Sequence, residues 1–402
     1  MAIKILILID SYSLMLRGRY SACEKMLILS MEKMLDFYTD YLISSTGQTS
    51  ATGLSRLVDN SISHDSITRF LKQEAYDSKT LWQSVKPTVR THQSESACLI
   101  FDDCIIEKSY TDNNDLICWH WDHAKQRSVK GINLLSAFYV TQKDADSALV
   151  RLPIGFELIL KTVHFCTIKD KKTRCRSPVT KNELMQTMIQ QSIHNQLKFK
   201  YILADSWFGS ADNMHFIQDK KKFFIFDLQD NRLAILANDI TEKPNKPNKE
   251  VIKNTPWTNI KSLEIPNNTP VKVWLKDMDF PVLVTKQAFK NEDDKTTGVR
   301  FLVSNDFSLS DDDFTTIYKK RWGVEEYHKS LKQNTCIAKS PTRTILTQSN
   351  HVFCAIWAYV KLEKLKFQTK LNHFQIKAKI YIKALKAAYE ELASIQLQAT
   401  PA

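Results

Sequence analysis

Residues 97–106, ACLIFDDCII, and residues 200–207, KYILADSW, decide how this chain is read. Each is a short run of apolar and β-branched residues, the composition of a buried strand. Each also carries acid: Asp102 and Asp103 in the first, Asp205 in the second. A carboxylate on a strand that otherwise belongs in a core is costly unless it is paired or holds a cation. One such acid is ordinary and is commonly a cap or the partner of a buried arginine. Two of them, with a third acid on an amphipathic helix, point to carboxylates that converge and whose repulsion is offset by divalent cations.

Outward from these runs the period stays that of strands. LICWHWDH (116–123), GINLLSAFYV (131–140) and VRLPIGFELIL (150–160) read as strands, and KNELMQTMIQQSIHNQLKF (181–199) as a helix of about five turns. A helix from about Ser210 and a strand over KKFFIFDL (221–228) follow. Residues 229–298 break the rhythm with a Pro/Asn/Lys loop, EKPNKPNKE (242–250), and a hairpin-like pair within VKVWLKDMDFPVLVTKQ (271–287). VRFLVSND (299–306) restores a strand, and DDDFTTIYKKRWGVEEYHKSLKQ (311–333) reads as one long helix. The expectation is an α/β chain: a mixed-sheet core at 96–228 and 299–345, a β-rich insertion at 229–298, and helical regions at 1–95 and 346–402.

In the N-terminal region, GLSRLVDNSISHDSITRFLKQEA (53–75) reads as helix, turn, helix. Ser63 is placed to cap the second helix, Asp65 lies in its first turn, and Ile67, Phe70 and Leu71 form its apolar face. His64, Thr68, Arg69 and Lys72 would be exposed. A plain helical hairpin explains this pattern as well as a DNA-reading helix-turn-helix does.

Composition limits the partners. Lys and Arg number 56 against 44 Asp and Glu, a formal net charge of +12, which favours a polyanion. The eight cysteines show no CxxC pair and read as reduced thiols. Cys118, His120 and His123 lack a fourth zinc ligand nearby in sequence, so a structural zinc site is not expected. The apolar start, MAIKILILID, is interrupted by Asp10, which argues against a signal peptide, and no run approaches the roughly 18 apolar residues of a membrane span. A cytoplasmic, nucleoid-associated protein is expected.

The third acid has the richest setting. Tyr318, Arg321, Glu325 and Lys332 follow the pattern Y-x2-R-x3-E-x6-K. On one continuous helix, at about 100° per residue, they would form a single stripe from which Glu326 turns away. A solvated salt-bridging face explains the charges but neither the aromatic nor the two upstream acids.

IFDDCIIEK (100–108), ILADSWFGS (202–210) and YKKRWGVEEYHKSLK (318–332) resemble, in order, the three acidic motifs of DDE transposases of bacterial insertion sequences. The resemblance is nearest to the cut-and-paste group that carries the Y-x2-R-x3-E-x6-K signature, and it covers residues 97–335. It implies a ribonuclease-H-like core with a β insertion ahead of the glutamate, and Asp103, Asp205 and Glu325 as ligands of two Mg²⁺ ions, or of Mn²⁺. The motif's register favours Asp103 over Asp102. Tyr318 and Arg321 would hold DNA near a turned-out base, Lys332 a phosphate, and Phe301 would stand where some relatives have a stacking tryptophan. Core packing accounts better for Trp207, and His328 is a secondary candidate for DNA contact. The implied partners are the element's terminal inverted repeats, target DNA and a second copy of the chain. A metal-dependent nuclease that never joins strands, or an inactive DNA-binding regulator, are the alternatives.

Overall fold

The computed structural model describes residues 22–73, 75–123, 125–142, 149–167, 172–237, 257–290 and 297–399. The Pro/Asn/Lys loop at 242–250 lies outside the described residues. The chain divides into two compact units, one of residues 76–333 and 359–375, the other of residues 1–75, 334–358 and 376–402.

The larger unit is built on an 11-stranded mixed sheet. Its centre is β1 (Cys98–Glu107), flanked on one side by β7 (Tyr201–Ala204) and then β8 (Phe223–Leu228). Both of these contacts are parallel, with Cys98 opposite Tyr201 and Tyr201 opposite Phe223. All four residues of β7 are buried, the near-continuous apolar pattern of a strand covered on both faces. On the other side β1 pairs antiparallel with the long β3 (Arg127–Thr141). The two ends of β3 also pair with β2 (Cys118–Asp122) and β4 (Val150–Leu158). Beyond β8 the sheet runs through β13 (Thr297–Ser304), β12 (Val282–Lys290), β11 (Val271–Leu275), β9 (Leu233–Leu236) and β10 (Thr258–Asn259). The strands from the expected insertion therefore lengthen the core sheet rather than form a separate layer.

Helices cover this sheet. α4 (Ser78–His92) packs along β4, and Ser78 Oγ accepts from the Phe156 amide at 2.8 Å. α5 (Lys181–His194) starts at a capping box formed by Thr180 and Glu183, and α6 (Ala211–Asp219) is capped by Ser210. The segment read from sequence as one helix over 311–333 is two: α7 (Asp311–Lys319) and α8 (Trp322–Asn334). Between them the amides of Lys320 and Arg321 reach back only three residues, to Ile317 and Tyr318, the tight pattern of a 3₁₀ turn. A two-stranded ribbon, β5 (Val163–Thr167) with β6 (Lys172–Arg176), was not foreseen; its charged, thiol-bearing residues lack the alternation that marks a half-buried strand.

The smaller unit is helical: α1 (Ala22–Ser44), α2 (Ala51–Leu57), α3 (His64–Leu71), the first part of α9 (Ile345–Thr369) and most of α10 (His373–Ala399). Ser63 caps α3, Ile67, Phe70 and Leu71 are buried, and His64, Arg69 and Lys72 are exposed. The Tyr38 hydroxyl and His351 Nδ1 share a buried hydrogen bond of 3.0 Å, and Asn350 donates to the Leu71 carbonyl at 3.1 Å. No helix among the described residues is long and apolar enough to cross a membrane.

Aromatic packing holds α8 to the sheet. The Phe138 ring on β3 stacks on Tyr327 with centroids 4.9 Å apart and meets the edge of Tyr359 at 6.2 Å. Phe138→Ala should cost about 3–5 kcal/mol through the cavity it opens. The urea midpoint of the full chain measures this, and an unshifted midpoint would show that the stack does not hold the helix.

Candidate active site

The acids of the sequence motifs come from three elements at one end of the central strands. Asp102 and Asp103 sit midway along β1, Asp205 follows the last residue of β7, and Glu325 lies in the first turn of α8. Neighbouring residues on a strand project to opposite faces, and the two aspartates of β1 divide accordingly. Asp103 faces α5, where Lys181 Nζ donates to its Oδ1 at 2.8 Å and Asn133 Nδ2 to its Oδ2 at 2.8 Å. Asp102 faces α8. The carboxyl group brought to Glu325 is therefore that of Asp102, whereas the motif's register favoured Asp103.

On the α8 side the donor atoms are close. One oxygen each from Asp102 and Glu325 and one ring nitrogen of His328 lie within 4.8 Å of one another, an arrangement that could hold a metal ion. Glu325 and His328 are three residues apart and share one helix face. Arg321 bridges the acids, with Nη1 3.8 Å from Asp102 Oδ2 and Nη2 3.5 Å from Glu325 Oε1. Glu326, one residue on, turns outward to pair with Arg151.

The electrostatics record strong crowding of negative charge. Burial, then the charge of Glu325, raise the Asp102 carboxyl well above its ordinary range; Arg321 opposes them and Asp205 and Asp103 add to them. Asp205 is also raised, first by burial, with Arg321 and Lys181 pulling against Asp103. Burial, then the cation of Lys332, push His328 down to about 3, so its imidazole is neutral and free to act as a ligand. Its Nε2 is buried with no hydrogen-bond partner. Hard carboxylate oxygens with one neutral imidazole make a donor set suited to divalent cations, and the crowding of acids is what such cations relieve.

The other residues singled out in the sequence fall in varied places. Tyr318 is buried, its hydroxyl donates to the Ala204 carbonyl at 3.3 Å, and burial raises its pKa. A ring in that position supports the α7–α8 turn and does not face a turned-out base. Phe301 is 1% exposed inside the sheet, so it offers DNA no stacking face. Lys332 is exposed on α8. Arg69 is exposed on α3 of the smaller unit, where its Nη2 reaches Ser66 Oγ at 3.3 Å. His328 is buried and not on a DNA-facing surface. Trp207, expected in the core, is 52% exposed. Cys118 Sγ lies 3.3 Å from His120 Nε2, but the Asp102–Glu325–His328 set is the only ligand cluster among the described residues.

Two groups escaped the sequence reading. Lys181 opens α5 and neutralises Asp103, and nothing in its local sequence distinguishes it from other lysines. Asp227 on β8 stands beside the site under the influence of Arg300 and Arg321. It also ends an apolar strand, FFIFDL, the signal that marked Asp205.

Two family models match the chain. Residues 28–258 match the model of the DDE superfamily endonuclease, and residues 177–361 match that of the transposase DDE domain. The chain belongs to the DDE superfamily of endonucleases. No curated protein matches the sequence.

Asp227 makes the electrostatics testable. Burial pushes its pKa from the ordinary 3.8 up to about 6, against Arg300 and Arg321. Between these two values the folded state holds a proton that the unfolded chain releases, so stability falls as pH rises through that window and levels off above it. Asp227→Asn should flatten this part of the profile. Melting temperatures from pH 3.5 to 7 provide the comparison, and parallel wild-type and variant curves would show that Asp227 is not the source.

Proposed function

We propose that this chain is a cut-and-paste transposase of an insertion sequence, with Asp102, Asp205 and Glu325 as the carboxylates that hold a pair of Mg²⁺ or Mn²⁺ ions. The observation that carries this reading is the convergence of Asp102 and Glu325, with His328, to within ligand distance; Asp205 lies outside that set and acts on Asp102 through its charge. Asp102 is preferred to Asp103 because its carboxyl joins Glu325 and His328, whereas Asp103 is taken up by Lys181 and Asn133. Bound there, divalent ions activate the attacking oxygen and stabilise the leaving one.

The chain's own groups supply position and charge. Arg321 bridges Asp102 and Glu325 and would be free to meet a DNA phosphate if cations took its place. Lys332 is exposed about two turns along α8 from Glu325 on the same face, suited to a second phosphate. Lys181 and Asn133 fix Asp103 behind the ligand set, so Asp103 positions β1. In the first reaction water attacks phosphorus, a P–O3′ bond breaks, and a 3′-hydroxyl and a 5′-phosphate result. In the second, that hydroxyl attacks a target phosphodiester, one P–O bond forming as another breaks. The exposed face of α3, with Arg69, is assigned to binding of the terminal repeats, and two copies of the chain to the synapsed ends.

The test combines purified protein, Mg²⁺ or Mn²⁺, and DNA bearing the inverted repeats that flank the reading frame. Cleaved ends and strand-transfer products are expected. Asp102→Asn and Asp205→Asn should each reduce cleavage on the order of a thousandfold while end binding persists. Asp103→Asn should lose about tenfold, as a residue behind the ligands does. Equal loss from Asp102→Asn and Asp103→Asn would remove the preference for Asp102. Cutting of branched DNA with no joined product would make the chain a structure-specific nuclease.

A further inference from the structure

Three tryptophans of the larger unit lie in solvent where the reaction needs no large apolar group. Trp119 is 56% exposed, and Trp121 and Trp207 are each 52% exposed. Single exposed apolar residues are common and need no explanation. These are not single. Trp119 and Trp121 are two residues apart on β2 and so share one face of the strand. Beyond them the exposed His123 continues the row: its ring centroid is 6.5 Å from that of Trp121 and 6.2 Å from that of Trp207. Lys181 Nζ then lies 5.1 Å from the centre of the Trp207 ring.

This row ends at the acids. Lys181 is the cation that holds Asp103, and the Trp207 amide donates to Asp205 Oδ1 at 3.1 Å. Cations accompany it at the far end too. Lys130 is the cross-strand neighbour of Trp119, Lys161 Nζ donates to the Trp119 carbonyl at 2.6 Å, and Arg127 is exposed beside the β2–β3 turn. Of the acids at this end, Glu107 is paired with Lys125, and Asp122 lies opposite Arg127 and accepts from the Lys125 amide. Aromatic rings interleaved with cations and leading to a phosphodiester-cutting site match the needs of one ligand. A single nucleic-acid strand has exposed base faces for the rings and phosphates for the cations. Bases stacked in an intact duplex offer no such faces.

We propose that Trp119, Trp121, His123 and Trp207 form a stacking track for an unpaired DNA strand running from the metal-binding acids along the β2–β3 hairpin. The inference rests on the reading of those acids as the cleavage site for its direction, and on the exposed rings for its existence. The track grips a strand without reading its sequence, since every base has a stacking face.

The full chain is titrated with a fluorescein-labelled oligothymidylate and, separately, with a blunt duplex of mixed sequence, both followed by anisotropy at fixed salt. Trp121→Ala and Trp207→Ala should each weaken single-strand binding about tenfold, Trp121→Phe less than about threefold, and duplex binding should stay within about twofold. Quenching of wild-type tryptophan emission by the oligonucleotide should diminish in both alanine variants. Unchanged single-strand affinity, or equal losses on single strand and duplex, would overturn the track. A Trp119→Ala/Trp121→Ala variant that binds the oligonucleotide normally but forms smaller assemblies would reassign the face to a protein contact. Asp205→Asn separates the two readings. It should stop cleavage and leave oligonucleotide affinity intact; continued cleavage would refute the metal site alone.

Discussion

Bringing carboxylates together inside a protein is the constraint from which the rest of this structure follows. Asp102, Asp205 and Glu325 come from two strand segments and a helix, and the charges of Glu325 and Asp205 oppose the ionisation of Asp102. Arg321 makes the arrangement tolerable by standing between Asp102 and Glu325. Lys181 does the same for Asp103 on the opposite face of the strand. The protein thus keeps two oppositely facing acids on adjacent residues, one paired with Lys181 and one turned to Glu325 and His328.

The sheet supplies the rigidity this requires. β1 is paired along its length with β3, which fixes Asp102, and the buried β7 delivers Asp205 one residue beyond its end. α8 is fixed against β3 by the Phe138–Tyr327 stack, two residues from the Asp102–Ser136 pairing on the same face and one residue from His328. The extra strands β9 to β12 extend the far edge of the sheet and leave this centre undisturbed.

Much of this was legible in the sequence. Apolar runs ending in acid located β1 and β7, and Ser63 with its apolar triplet located α3, because strand composition and helix caps are local properties. The side on which each acid of the Asp102–Asp103 pair emerges was not legible. It depends on which face α5 and α8 cover, and that is settled by contacts far away in the chain. The helix break at Lys320 and Arg321 was hidden for a similar reason. The residues are compatible with a continuous helix, but Tyr318 must reach under the end of β7 while Glu325 reaches over β1. The exposure of Trp207 was misjudged because tryptophan is usually core, and only the surface around it reveals a row of rings.

The bond from the Tyr318 hydroxyl to the Ala204 carbonyl has a mechanical consequence. It fastens the elbow between α7 and α8 to the residue that immediately precedes Asp205. Tilting of α8 during a catalytic cycle would therefore swing about a fulcrum next to the second acid. The gap between Asp205 and the elbow stays constant, and the travel is expressed in the spacing between Glu325 and Asp102. Motion there would change the spacing of Asp102 and Glu325 without the sheet having to deform.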